Sequence, residues 1–123
     1  MTYFWVGIGS AIGGMARFWL TIAVATVVGG RFPWGTMLIN VSGSFIIGWF
    51  GALTAAGGRL DVPQDIRIFV MVGICGGFTT FSSFSLQSLE LLRTGDIIGA
   101  GANIIGSVLL CLLAVWAGTL LGR

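Results

Sequence analysis

Gly76-Gly77-Phe78-Thr79-Thr80-Phe81-Ser82-Ser83-Phe84-Ser85 stands in the middle of an apolar run, at the depth where a membrane helix is expected to continue without interruption. Paired glycines, paired threonines and an alternation of Phe with Ser have no explanation in lipid solubility alone. Gly76 and Gly77 weaken a helix, and a hydroxyl of Thr79 or Thr80 can cap a new one. A helix broken inside a bilayer leaves carbonyls and amides without partners. That arrangement is tolerated only where protein, an ion or a wet cavity satisfies them. The stretch therefore points to an ion pathway and away from a simple anchor.

Composition agrees with a bilayer setting. Of 123 residues, 56% are hydrophobic and only 8% charged, with 21 glycines and a mean hydropathy of +1.03. Soluble domains carry about 25% charged residues, so this chain cannot cover itself with a water-facing surface. Its glycine content suits helices that approach one another closely. All six basic residues are Arg, and a net charge of +2 spread along the chain does not suggest a nucleic-acid partner.

Working outward from the central stretch, the breaks divide the chain into four apolar segments in a single domain, residues 1–123. They are expected at about 3–28, 36–56, 66–92 and 97–121. Gly29-Gly30-Arg31 and Gly57-Gly58-Arg59 close the first two segments, with glycine just past the helix and a cation beyond it. Each segment supplies the ~20 residues that the hydrocarbon core requires. The expected fold class is an all-α integral membrane protein with four transmembrane helices, the third broken near mid-membrane, and both termini on one side. Ala23-Val24-Ala25 looks like a signal-peptide cleavage site. The run before it is too long, has no basic residue ahead of it and contains Arg17, so the first segment reads as a mature helix.

Arginine gives almost no orientation signal. Arg59, Arg67 and Arg123 fall on the side of the termini, Arg31 and Arg93 on the other, with Arg17 inside the first helix. Orientation follows a Lys/Arg difference between the two sides. Two readings fit so even a balance: a partner or the first helix sets the orientation, or the chain inserts both ways and forms an antiparallel homodimer. Four helices make a poor pore alone, which favours an oligomer. Gly9 and Gly13 form a GxxxG pair. Asn40, Ser44, Gly48 and Ala52, and again Gly99, Asn103, Ser107 and Cys111, make stripes at i+4 spacing, each on one helix face. For the small residues, tight helix packing is the simpler account. An intramembrane asparagine needs a partner of its own.

No Asp or Glu lies deep in a segment. A cation or proton-coupled transporter normally places a carboxylate there. The small multidrug exporters, equally short and four-helical, are the competing class, and such a protein needs an acid in its first helix; residues 3–28 have none. The polar groups available are uncharged donors: the amides of Asn40 and Asn103 and the hydroxyls of Ser82, Ser83, Ser85 and Ser107. They suit a small anion that accepts hydrogen bonds, to which the electropositive edges of phenyl rings add a further contact. Without His, a metal-binding cluster or a nucleophile–base pair, the chain does not read as an enzyme. Cys75 and Cys111 behave as small hydrophobes in their apolar segments.

Trp34-Gly35-Thr36 followed by Asn40, the central stretch, Gly106-Ser107 and Gly13-Gly14-Met15-Ala16-Arg17 together resemble the Fluc/CrcB family of bacterial fluoride channels over essentially the whole chain. The resemblance implies a multi-pass protein of the bacterial inner membrane that exports cytoplasmic fluoride passively, giving fluoride resistance. It implies an antiparallel dual-topology dimer, with a second copy or a similar paired subunit, and two pores at the interface. It places Phe81 and Phe84 with their ring edges toward fluoride, Asn40 at the pore, Ser82, Ser83 and Ser85 on a hydroxyl-rich stretch, and Ser107 on the fourth helix. It implies a structural sodium ion held by the backbone carbonyls of Gly76 and Thr79, and a structural role for Arg17. Gln87, where many members carry Glu, and Cys111, where Thr is common, depart from the pattern.

Overall fold

The computed structural model describes all of residues 1–123 and is all-helical. α1 spans Thr2–Val28, α2 Trp34–Leu53, α3 residues 64–78, α4 Phe81–Arg93 and α5 Ile97–Gly122. Taking α3 and α4 as one span, four helical stretches of 20 to 30 residues are long and apolar enough to cross a membrane. Even the shortest, α2, reaches about 30 Å at 1.5 Å per residue, the thickness of the hydrocarbon core.

Glycines punctuate the turns where left-handed backbone is needed. Gly29 and Gly30 (φ 63° and 83°) turn the chain out of α1, and Gly95 (φ 82°) turns it out of α4. Asp96 then caps α5, its Oδ1 accepting from the Gly99 amide at 2.8 Å. α2 starts at Trp34, ahead of the expected Thr36, and ends at Leu53 instead of near Ala56. The reason for the early end is tertiary. The Leu60 amide donates back to the Leu53 carbonyl at 2.9 Å, and Arg67 Nη1 donates to the Thr54 carbonyl at 3.0 Å. Terminal carbonyls satisfied from outside no longer need another helical turn.

α3 begins as α-helix, widens to a π-helix over Phe69–Cys75 and closes with a last α-turn at Gly76–Phe78. Against this wide stretch lies the glycine face of α1. A methyl group at Gly9 would stand 2.6 Å from the Phe69 carbonyl and 2.8 Å from Gly73 Cα, and one at Gly77 would stand 2.7 Å from Ser10 Cα. These are backbone-to-backbone contacts that no side chain survives. The GxxxG pair thus serves packing within the chain, as the simpler account of the small residues holds. α2 and α5 meet the same way: a methyl at Gly118 would stand 2.8 Å from the Trp49 amide nitrogen, and one at Gly122 2.9 Å from Ala52 Cβ.

Only 19 of 123 residues are buried, and Phe18, Trp19, Leu113 and Trp116 are each more than half exposed. So much uncovered apolar surface is untenable in water and ordinary where lipid is the solvent.

Candidate functional site

Between α3 and α4 the backbone opens. Thr79 (φ −78°, ψ 157°) and Thr80 (φ −151°, ψ 111°) are extended, and α4 starts afresh at Phe81. Thr80 is the cap of the new helix, its Oγ1 accepting from the Ser83 amide at 3.2 Å. The Thr79 hydroxyl turns back to donate to the Cys75 carbonyl at 2.9 Å.

The Thr80 peptide is matched by a side chain forty residues away. Asn40 Nδ2 donates to the Thr80 carbonyl at 3.0 Å, and the Thr80 amide donates to Asn40 Oδ1 at 2.8 Å. The carboxamide of α2 thereby imitates a neighbouring strand and stabilises extended backbone between two helices. A carboxamide has two N–H groups, so one remains for another acceptor.

This diversion frees two carbonyls. In an uninterrupted helix the Gly76 carbonyl would accept from the Thr80 amide, which is bonded to Asn40. The Thr79 carbonyl would accept from the Ser83 amide, which is bonded to Thr80 Oγ1. Gly76 is exposed in the single chain. These are the two carbonyl groups that the resemblance assigns to sodium. Hard, uncharged oxygens left without amides have the chemistry that a monovalent cation requires.

Beside them runs a groove of about 390 Å3, open along one side. Asn40, Phe81, Phe84 and Ser107 line it, together with Gly76, Thr79 and Cys111. The two phenyl rings stand one turn apart with centroids at 5.4 Å and planes at 49°. Phe84 is packed into the chain at 8% exposure, whereas Phe81 projects from it at 77%. Ser82, Ser83 and Ser85 are not on this surface. Ser82 and Ser83 lie within hydrogen-bond distance of Thr80 Oγ1 at 3.3 and 3.1 Å, and Ser85 Oγ donates to the Phe81 carbonyl at 2.9 Å. Arg17 is half-buried and its carbonyl accepts from the Thr21 hydroxyl at 2.8 Å.

A second concavity of about 510 Å3 opens at the end of the bundle where α1 meets α2. Gln87 lies there with Glu90 and Arg31, its Oε1 buried without a hydrogen-bond partner. Cys111 stays in the groove one turn beyond Ser107. The two departures from the family pattern therefore sit in different surfaces.

The sequence offered Thr79 or Thr80 as the cap of a new helix, and Thr80 is the one that caps it; it did not single out Ser88 as a polar contact. Ser88 had only its i+4 spacing from Phe84.

Residues 4–119 match the family model described as CrcB-like protein, Camphor Resistance (CrcB). The chain belongs to the CrcB family. Among curated CrcB relatives it is 65% identical to the fluoride-specific ion channel FluC of Methylocella silvestris, over 96% of this chain and 90% of the relative. It is 58% identical to the FluC of Paramagnetospirillum magneticum and 52% identical to that of Rhodospirillum rubrum, each over 96% of this chain and 92% of the relative. Nothing in the CrcB match favours the multidrug-exporter reading.

Proposed function

We propose that the chain is one subunit of a fluoride channel of a bacterial inner membrane, passing fluoride from the cytoplasm down its electrochemical gradient. The observation that carries this reading is the groove: it gathers the Asn40 amide, the Ser107 hydroxyl and two phenyl rings without any carboxylate, in a chain whose relatives are named fluoride-specific ion channels. A fixed negative charge in a low-dielectric path repels an anion. Neutral donors replace its hydration without trapping it. Fluoride that enters as HF dissociates in the cytoplasm, and an inside-negative potential drives it out. About 2.3 kcal/mol per 100 mV corresponds to roughly a fiftyfold concentration ratio.

A groove open on one side needs a second wall. A second copy in antiparallel orientation provides it, closing two grooves into two pores across a dyad, with Phe81 of each copy covered at the interface. The even arginine distribution supports dual topology. The interruption at Thr79 and Thr80 lies near mid-membrane, and the dyad brings two such interruptions together. Gly76 and Thr79 would then hold a sodium ion through their carbonyls. Bound there, the ion supplies positive charge that offsets repulsion between fluoride ions in the two pores. The carbonyls stay oriented because Asn40 holds the Thr80 peptide. Four spans make the subunit multi-pass, and steady export gives the cell fluoride resistance.

The test is anion efflux from proteoliposomes under a potassium diffusion potential. Fluoride should leave and chloride should stay. Equal release of both ions, or movement of organic cations against protons, overturns the reading.

A further inference from the structure

Behind the Ser107 wall of the groove lies a short polar relay that connects α4 to α5. Ser107 Oγ donates to Asn103 Oδ1 at 3.2 Å. Asn103 Nδ2 donates to Ser88 Oγ at 2.9 Å. Ser88 Oγ donates to the Phe84 carbonyl at 2.7 Å. Asn103 is 1% exposed and Ser88 6%, so water does not replace the bond between them, while Ser107, 5% exposed, keeps an edge on the groove. A serine hydroxyl has a single proton. With that proton held by Asn103, Ser107 offers the groove only lone pairs, the wrong polarity for an anion.

The relay has a second arrangement with the same side-chain positions. If the Asn103 carboxamide turns over, Nδ2 takes the place of Oδ1 and donates to Ser107 Oγ. Oδ1 then accepts from Ser88, whose hydroxyl swings away from the Phe84 carbonyl. The Ser107 proton is left free to point into the groove. Of the four protons in the relay, one Asn103 N–H takes no part in either arrangement, and the other three need acceptors in both. In the first the third acceptor is the Phe84 carbonyl; in the second it is whatever occupies the groove. No covalent bond changes and no proton changes atoms.

We propose that Asn103 is a positioning residue that, by turning over its carboxamide, releases the Ser107 hydroxyl to an anion in the groove and withdraws it when the anion leaves. The proposal rests on the fluoride-channel reading above. A groove without an anion favours the withdrawn arrangement, because water is no stronger an acceptor than the Phe84 carbonyl that this arrangement uses. An anion favours the released one, since bonds to ionised acceptors are about twice as strong as neutral ones. The ligand thus selects between two states by its differential interaction with them. Fluoride, a far stronger hydrogen-bond acceptor than chloride, biases the relay more. Asn103 therefore contributes to the choice between halides without touching either ion.

The chain has two asparagines, Asn40 and Asn103, so the full-length protein labelled with side-chain 15N-asparagine gives two carboxamide signals, assigned by the loss of one in each Asn variant. Reconstituted protein is titrated with sodium fluoride and, separately, sodium chloride, and fluoride efflux is measured on the same samples. Expected is an Asn103 signal that shifts with fluoride, stays in place with chloride, and no longer responds in Ser107→Ala. Asn103→Leu and Ser107→Ala should each lower fluoride efflux about tenfold, as for loss of a hydrogen bond to a charged group, and the double variant should be no slower than either alone. An Asn103 signal indifferent to fluoride, or a double variant about a hundredfold slower, overturns the proposal. If Asn103→Leu fails to fold, the titration of the unsubstituted and Ser107→Ala proteins decides alone. Absence of any fluoride efflux from the unsubstituted protein, read first, overturns the channel reading and this inference with it.

Discussion

A carboxamide at position 40 does two things that a carboxylate cannot do together. Its Nδ2 answers the Thr80 carbonyl and its Oδ1 answers the Thr80 amide, while the side chain as a whole remains neutral. Asn40→Asp replaces the donor by a second acceptor facing a carbonyl and puts a charge into the groove. Fluoride efflux should fall by at least about tenfold, because a lost charge-assisted contact alone is worth that much. Normal efflux with the carboxylate shown to be ionised would falsify an anion path at Asn40. The two phenylalanines separate by burial. Phe84→Ile removes a ring packed inside the chain and should lower stability by about 1 kcal/mol along with efflux. Phe81→Ile removes a ring that the single chain leaves exposed, so it should lower efflux with little change in the melting of dissociated subunits. Gel filtration beside the efflux assay checks that each variant keeps the assembly state of the unsubstituted protein.

Elements obey backbone contact more than side-chain chemistry here. Gly77 rests on the backbone of Ser10, with a methyl group landing 2.7 Å from its Cα. Gly77→Ala should therefore push α3 off α1 and cost about 1–3 kcal/mol by overpacking, visible as a lowered midpoint in a denaturation series in detergent. Four spanning segments were legible in the sequence because apolar runs and Gly-Arg boundaries are local signals. The π-winding of residues 69–75 was not. It answers to the glycine face of α1, and hydropathy has no term for another helix's backbone. The pairing of Asn40 with Thr80 was equally hidden, since the resemblance named Asn40 for the pore and nothing local ties it to a peptide forty residues on. Ser82, Ser83 and Ser85 read as a hydroxyl-rich stretch. A helix advances 100° per residue, which keeps Ser82 and Ser85 within about 60° of each other and turns Ser83 away from them, so composition alone does not give the face each hydroxyl takes.

For the whole molecule, the question is what covers the open side of the groove. Reporters fused to the C-terminus should show both orientations in one membrane, and two or three added Lys in one loop should fix the orientation and lower efflux when that variant is expressed alone. A single orientation in the unmodified protein would sink the homodimer and point to a similar paired subunit. Gly76 tests the dyad more directly. Within one chain a methyl there finds nothing closer than the Met71 carbonyl at 4.0 Å, so Gly76→Val should leave the subunit folded. If two copies meet at this carbonyl around sodium, the same change should abolish assembly and efflux. Thr79→Ser keeps the hydroxyl bonded to Cys75 and should keep efflux. If sodium joins two copies there, its full replacement by a large organic cation, with any bound sodium shown to leave, should weaken assembly; unaltered assembly and efflux would remove sodium from the account.

The Asn40–Thr80 pair also bears on how such a pathway is governed. Two hydrogen bonds in register hold α2 to the peptide where α3 gives way to α4, at the point where a moving segment would need freedom to slide. To move this segment, both bonds must break together, so the interruption behaves as a fixed point of the fold about which the helices on either side are set.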